Sequence, residues 1–257
     1  MRHNALYTIL FSGAVCVVCA VLVSSAAVSL KQDQLRNAAL DKQRNVLFAA
    51  GLADPTERLD SEQVEGMFEN IRPVVIDLET GRETDIDPTS FDQAKAARNP
   101  DTSRAAPENR ASVQRVPNQA LVYEVLEDGK PSMVVVPIEG YGLWSTLYGF
   151  LAIGNDGNTV RGITYYQHLE TPGLGGEVDN PNWKAAWSGR RIYDESGAPA
   201  VRVIKGTAPP ADQAPYEVDG LTGATITSNG VTAMLDFWLG ENGFRNYLQG
   251  FKEGQDR

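Results

Sequence analysis

Thr225 closes the run Asp219-Gly220-Leu221-Thr222-Gly223-Ala224-Thr225, which sets a hydroxyl behind two residues too small to shield it. A helix start is expected just beyond it, at Thr227 or Ser228. The first N–H groups of a helix have no intrahelical partner and its dipole favours negative charge there, so such a turn is an anion site. A threonine in this position can carry a phosphate group covalently instead of merely binding one. The competing reading is an N-cap after a Gly-containing turn. A second run, His168-Leu169-Glu170-Thr171-Pro172-Gly173-Leu174-Gly175, follows an expected strand. Pro172 and the glycines force a tight loop with accessible backbone N–H groups. A loop of that kind can approach a flat ring system and hydrogen-bond its edge. The alternative is an ordinary Pro-Gly turn.

The apolar patterning around these loops is that of an α+β domain. Residues 121–126 and 132–138 flank Asp128-Gly129, a strong short hairpin signal. Residues 147–153 and 160–166 flank Asn155-Asp156-Gly157-Asn158 as a second hairpin. Residues 228–239, ended by Gly240, form the best helix of the body, with Val231, Met234, Leu235, Trp238 and Leu239 on one face. Shorter elements are expected at 60–70 (helix), 74–78 (strand), 183–187 (helix after Pro181), 200–205 (strand) and 244–251 (helix). Residues 32–50 read as a helix that stops at Gly51. Residues 92–119 are poor in apolar side chains and hold Pro100, Pro107 and Pro117, so an exposed, loop-rich insertion is expected there. Three segments result: an anchor over 1–30, a helix-and-strand part of the body over 31–120, and a domain of β-hairpins with flanking helices over 121–257.

No charged residue occurs from Ala5 to Leu30, a run of 26 positions, and a membrane-spanning helix needs about 20. A cleaved signal peptide is the rival, with Ser25-Ala26-Ala27 as its small-residue site. Its apolar region would be about 7 to 15 residues, and this run is longer. Arg2 precedes the span, while Lys31, Arg36, Lys42 and Arg44 follow it; a literal positive-inside count would keep the body in the cytoplasm. Beyond residue 30 the chain has 22 Lys and Arg against 33 Asp and Glu, a formal charge of −11. That balance argues against nucleic acid as a partner. Both cysteines, Cys16 and Cys19, lie in the span three residues apart. They read as a thiolate pair for a shared cluster or as two small residues packed in lipid. The body has no cysteine, so it can form no disulfide and hold no Cys-ligated metal. With His3 and His168 as the only histidines, a His-rich metal site is excluded.

The Asp-x-x-Thr-Gly-Ala-Thr pattern, the Glu-Thr-Pro-Gly-Leu-Gly loop over 170–175 and the segment Gly142-Leu143-Trp144-Ser145 together resemble the FMN-binding domain family of bacterial respiratory flavoproteins. The resemblance covers residues 121–240 and extends to the single N-terminal span and the length. The long region 31–120 makes the chain similar to the C-subunit family of the Na(+)-translocating NADH:quinone oxidoreductase, with the G-subunit family of the Rnf electron-transport complex as the next relative. In that family the last Thr of the motif is joined to FMN through a phosphoester. The resemblance therefore implies FMN on Thr225, with Thr222, Gly223 and Ala224 shaping the attachment loop. Glu170, Thr171, Gly173 and Leu174 would line the flavin, with Leu143 and Trp144 nearby. Trp144 packs on the isoalloxazine or is a core or surface tryptophan. Lys205 is a cation near the phosphate or flavin, or a solvated strand-end lysine. Asp219 serves recognition by a flavin transferase or orients the loop. His168 donates a proton near the flavin or makes a structural hydrogen bond.

A separate flavin transferase using FAD would make the bond, so Thr225 is a modification site and no catalytic nucleophile is expected. The implied protein is a single-pass component of the bacterial inner membrane with its body on the periplasmic side. It would relay electrons from NADH toward ubiquinone, coupled to sodium export, among the other subunits of its complex. No catalysis beyond electron transfer is expected of the isolated chain. An Rnf-type counterpart and a non-redox, membrane-anchored binding or sensory domain are the alternatives.

Overall fold

The computed structural model describes residues 5–255; Arg2 and His3 lie outside them. The chain forms two compact units, 1–42 and 43–257. The first consists of most of helix α1 (Ala5–Ala49), long and apolar enough to cross a membrane. The helix expected over 32–50 is not separate from the span. No Gly or Pro interrupts residues 14–50, so nothing breaks the backbone hydrogen bonding at residue 30. The stop is the expected Gly51, whose φ of 69° is the left-handed turn of a helix end. Its N–H donates to Phe48 O, and that of Leu52 to Leu47 O at 3.0 Å, satisfying the last carbonyls.

The second unit begins with the last turns of α1, where Val46, Leu47 and Ala49 are fully buried. Helix α2 (Ser61–Phe68) follows, with a capping box in which Gln63 N–H donates to Asp60 and Asp60 N–H donates to Gln63 Oε1, both at 2.9 Å. Strand β1 (Ile71–Asp77) belongs to a five-stranded antiparallel sheet with β4 (Gln119–Glu127), β5 (Lys130–Tyr141), β6 (Thr146–Gly154) and β7 (Val160–Gln167), in the order β1-β4-β5-β6-β7. Both expected hairpins are present. Asp128 and Gly129 each take positive φ, 51° and 76°, as a tight two-residue hairpin turn requires.

Residues 92–119 are more regular than an exposed insertion. They hold α3 (Gln93–Arg98) and a two-stranded ladder of β2 (Ser103–Ala105) and β3 (Arg115–Pro117), and they bury Ser103, Ala111, Val113 and Val116. Hydrogen bonds order much of this apolar-poor segment. Arg115 donates to Ser103 Oγ and to Ser103 O, each at 2.8 Å, and Tyr141 N–H donates to Ala111 O at 2.9 Å. After the sheet come a 3₁₀ turn (Gly175–Asp179), α4 (Pro181–Ala185) with its proline in the first turn, and a short parallel pair, β8 (Arg202–Val203) and β9 (Glu217–Val218). Helices α5 (Thr225–Trp238) and α6 (Arg245–Gln255) complete the α+β body.

The core lies between one face of the sheet and α5. Val134, Val136 and Ile138 of β5 join Val231, Met234, Leu235 and Trp238 of α5 in one buried cluster. Trp238 Nε1 donates to Glu139 O at 2.7 Å, so the largest side chain of the interface also satisfies its polar atom. This packing fixes α5 across the end of β5 and thereby fixes the helix start that carries Thr225.

Candidate functional site

Helix α5 opens at Thr225 itself, two or three residues earlier than the expected Thr227 or Ser228. Its N-cap residue is Ala224, which has no side-chain acceptor, and no acidic residue lies in the first turn. The turn is held from within. Ala224 N–H donates to Leu221 O at 3.0 Å, and Leu221 N–H donates to Ser228 Oγ at 3.1 Å. Gly223 sits at φ 73°, and a Cβ there would stand 2.8 Å from Leu174 Cδ2. The 170–175 loop therefore packs directly on the turn that leads into Thr225. Thr222 and Thr225 are both exposed. The result is an exposed hydroxyl on a helix N-terminus that no side chain caps.

Asp219 orients this loop. Its Oδ1 accepts from Ala208 N–H at 2.8 Å, and its carbonyl accepts from Trp183 Nε1 at 2.7 Å. Lys205 is exposed beside it, in a segment that runs against Gly220; Gly220 N–H donates to Gly206 O at 2.8 Å.

Glu170 is only 5% exposed, and protein donors engage both of its carboxylate oxygens. Oε1 accepts from the N–H groups of Leu143, Trp144 and Ser145 at 3.0, 2.9 and 3.3 Å. Oε2 accepts from the hydroxyl of Thr227, in the first turn of α5, at 2.7 Å. Burial pushes this carboxyl up. The Thr227 hydroxyl and the three backbone N–H groups outweigh that and hold it below the usual carboxylate value. Two glycines make room: a Cβ on Gly142 would stand 2.7 Å from Oε1, and one on Gly175 would stand 2.5 Å from Oε2.

His168 makes structural hydrogen bonds. Its Nδ1 accepts from Glu170 N–H at 3.2 Å, so Nε2 carries the proton toward Asp179 Oδ2 at 2.7 Å. Lys184 Nζ lies 3.1 Å from the other Asp179 oxygen. Thr171 and Gly173 are exposed on the same loop, and Gly173 turns with φ 75°.

Trp144 is 64% exposed. Tyr141 OH donates to its carbonyl at 3.2 Å. Among the described residues, nine large apolar side chains beyond residue 50 are exposed, and six of them gather here: Tyr141, Leu143, Trp144, Leu169, Leu174 and Ile226. Scattered exposed apolar residues need no explanation, but here they concentrate at the end of β5 and the turn after it, on the 168–175 loop and on the first turn of α5. A groove of ≈ 390 Å³ runs beside it, lined by Tyr141, Gly142, Ile226, Asn229 and, from the 92–119 segment, Arg110. Cys16 and Cys19 are free thiols on α1, in the other unit.

The sequence names Thr227 and Ser228 only as a helix start and Ser145 only as the end of a motif, and it does not point to Tyr141 or to any of their hydrogen-bond roles. Thr227 and Ser228 leave a faint signal: two hydroxyls on the buried face of an otherwise apolar helix need partners. The bonds of Ser145 to the 168–175 loop leave none, because those partners lie 24 and 25 residues away.

Residues 142–240 match the family model of the FMN-binding domain. The chain is 48% identical to the C-subunit of the Na(+)-translocating NADH-quinone reductase of Pseudomonas aeruginosa, over 99% of this chain and 98% of that one. It is 47% identical to the protein of that name from Yersinia pestis, over 96% and 93%. The crystal structure of Shewanella oneidensis NqrC superposes with a TM-score of 0.76 at 36% identity, covering 84% of this chain and 99% of that one.

Proposed function

The chain belongs to the C-subunit family of the Na(+)-translocating NADH-quinone reductase, and from that premise we propose that it holds FMN through a phosphoester on Thr225 and passes electrons between other subunits of the complex. It is an FMN-binding electron-transfer component of an oxidoreductase complex, and its long apolar α1 fits a single-pass membrane anchor. One observation carries the proposal. Thr225 presents an exposed hydroxyl at the first position of an uncapped α5, beside a rim of exposed apolar side chains.

The residues present fit a phosphorylated ring system. The first-turn N–H groups of α5 face a negative charge favourably, and no acidic side chain in that turn competes. Leu143, Trp144 and Leu174 offer apolar surface to a planar ring, and the exposed loop residues Thr171 and Gly173 can meet its polar edge. Lys205 adds a cation at the margin, and Thr222, Gly223 and Ala224 keep the turn narrow. Bound FMN supplies one- and two-electron chemistry; the protein positions it and tunes its electronics. A covalent tether keeps the group from being lost to a dilute compartment and holds its local concentration near partners high. On this reading the body faces the periplasm, a flavin transferase attaches the group, and the electron flow it serves is coupled to sodium export.

Ultraviolet fluorescence of the denatured protein in a gel tests the reading, with wild type and Thr225→Val each produced alongside a flavin transferase. A fluorescent wild-type band that is lost in the variant is expected. A dark wild-type band, with the transferase active on a control, would overturn covalent attachment and favour an anchored binding domain without redox function.

A further inference from the structure

We propose that Glu170 and Thr227 form a positioning latch that holds the Trp144 turn against the first turn of α5 and so sets where the Trp144 ring stands relative to the flavin; the inference rests on the Thr225 reading above. The two segments also meet where Gly230 of α5 lies against the backbone of Tyr141 and Gly142, but that contact lies before the Trp144 turn. Three consecutive N–H groups, those of Leu143, Trp144 and Ser145, converge on one oxygen of Glu170, and the Thr227 hydroxyl takes the other. An ionised carboxylate is an acceptor only, so one side chain engages all four donors, with the three N–H groups sharing Oε1 and the Ser145 bond the longest at 3.3 Å. Thr227 is fully buried, so its hydroxyl has no water to turn to. Its 2.7 Å bond has the length usual for a hydroxyl donor, and the acceptor is an ionised carboxylate.

Thr227 lies two residues after Thr225 in the same helical turn, and Trp144 lies within the three residues that Glu170 grips. The Trp144 ring stacks on no aromatic neighbour among the described residues, and it is mostly exposed. Its placement therefore comes from the backbone beneath it, and that backbone is tied to Glu170, with Tyr141 OH on the Trp144 carbonyl as a second restraint. His168 and Asp179 support the latch from behind by fixing the Glu170 backbone. Glu170 and Thr227 are positioning residues: they act on the flavin through Trp144 and the α5 turn.

The test uses the full-length flavin-bearing protein in four forms: wild type, Thr227→Val, Thr227→Ser and Glu170→Gln. Three quantities are read on each: covalent fluorescence after denaturation, flavin emission in the native state, and midpoint potential. An indole ring held against a flavin quenches its emission, so native emission reports the position of Trp144. Loss of a buried charge-assisted bond should raise the population with the turn released by about tenfold. Native emission should then rise toward the unfolded level in Thr227→Val and Glu170→Gln, with a shifted potential. Thr227→Ser, which keeps the hydroxyl, should match wild type. Unchanged emission and potential in a flavin-bearing Thr227→Val, with only its melting temperature lowered, would overturn the latch. Equal changes in Thr227→Val and Thr227→Ser would do the same. The two Thr227 variants decide the question even if Glu170→Gln fails to fold. A dark denatured wild-type band overturns the Thr225 reading, and the latch with it, and so is a distinct failure.

Discussion

At Gly175 the chain leaves no space for a side chain. A Cβ there would stand 2.5 Å from Glu170 Oε2 and 2.6 Å from Thr227 Oγ1. Both atoms are ends of side chains, yet each is tied to the other by a buried bond, so neither can swing aside without breaking it. Gly175→Ala should therefore cost about 1–3 kcal/mol through overpacking. A lower denaturant midpoint at unchanged slope would report it; a midpoint within error of wild type would show that the carboxylate moves freely. Glu170 also predicts a pH dependence with a definite sign. Its folded carboxyl sits below the ordinary value, so its stabilisation is fully present above about pH 4.3, the unfolded value, and is lost as pH falls through the folded one. Wild type and Glu170→Gln should accordingly differ in stability near neutrality and converge in acid, as parallel unfolding titrations would show. The sequence marks Glu170 as part of a ring-facing loop, but it does not show where the carboxylate points. Its partners lie 25 to 27 residues away on one side and 57 on the other. No local pattern carries a bond of that span; only the packed fold brings the three segments together.

Helix α5 is the element that ties the core to the site. Its apolar stripe is legible because Val231, Met234, Leu235, Trp238 and Leu239 recur at helical period, and all are buried. Its start is less legible. Ala224 is a poor N-cap by type, so hydroxyls further on look like the better boundary, whereas tertiary contacts through Leu221, Ser228 and Leu174 begin the helix at Thr225. The hairpins were readable from their turn residues for a similar local reason, and the ordering of residues 92–119 was not, because its hydrogen bonds reach across the segment. The close approach of α5 to β5 has a specific cause. Gly230 lets the helix lie on the backbone carbonyl of Tyr141, with which any Cβ would collide. Backbone cannot rotate away as a side chain can. Gly230→Ala should lift the first turns of α5, lowering stability by about 1–3 kcal/mol, at about 2–4 °C of melting temperature per kcal/mol for a domain this size. It should also reduce the yield of covalent flavin, since Thr225 moves with the helix. A variant with full flavin yield and wild-type melting would show that α5 is not held at this contact.

At the scale of the whole molecule, one continuous helix serves two solvents. Residues 5–30 of α1 carry no charge and suit a bilayer, while the same helix ends with Val46, Leu47 and Ala49 buried in the folded body. Composition points to the first role, because an uncharged run of 26 residues is longer than the apolar region of a signal peptide. It conceals the second, because residues 31–49 mix charged and apolar side chains as any surface helix does. The functional boundary therefore lies near residue 42 and not at the edge of the apolar run. Two truncations separate these roles. Removing residues 1–42 leaves a body with 19 Lys and Arg against 31 Asp and Glu, a formal charge of −12 that favours solubility. That body keeps Thr164 Oγ1 donating to Asn45 O at 3.1 Å and Arg44 donating to Leu59 O at 2.8 Å. Removing residues 1–50 strips both bonds and the Val46 and Leu47 side chains, each worth about 1.5–3 kcal/mol when fully buried. It also uncovers the backbone contact of Ala49 on Gly162 at the sheet face. The first truncation should leave the membrane fraction and melt as a single cooperative unit. The second should melt many degrees lower or aggregate, because its sheet face is open to water. Equal melting of the two would show that the end of α1 is a linker and that the body closes without it.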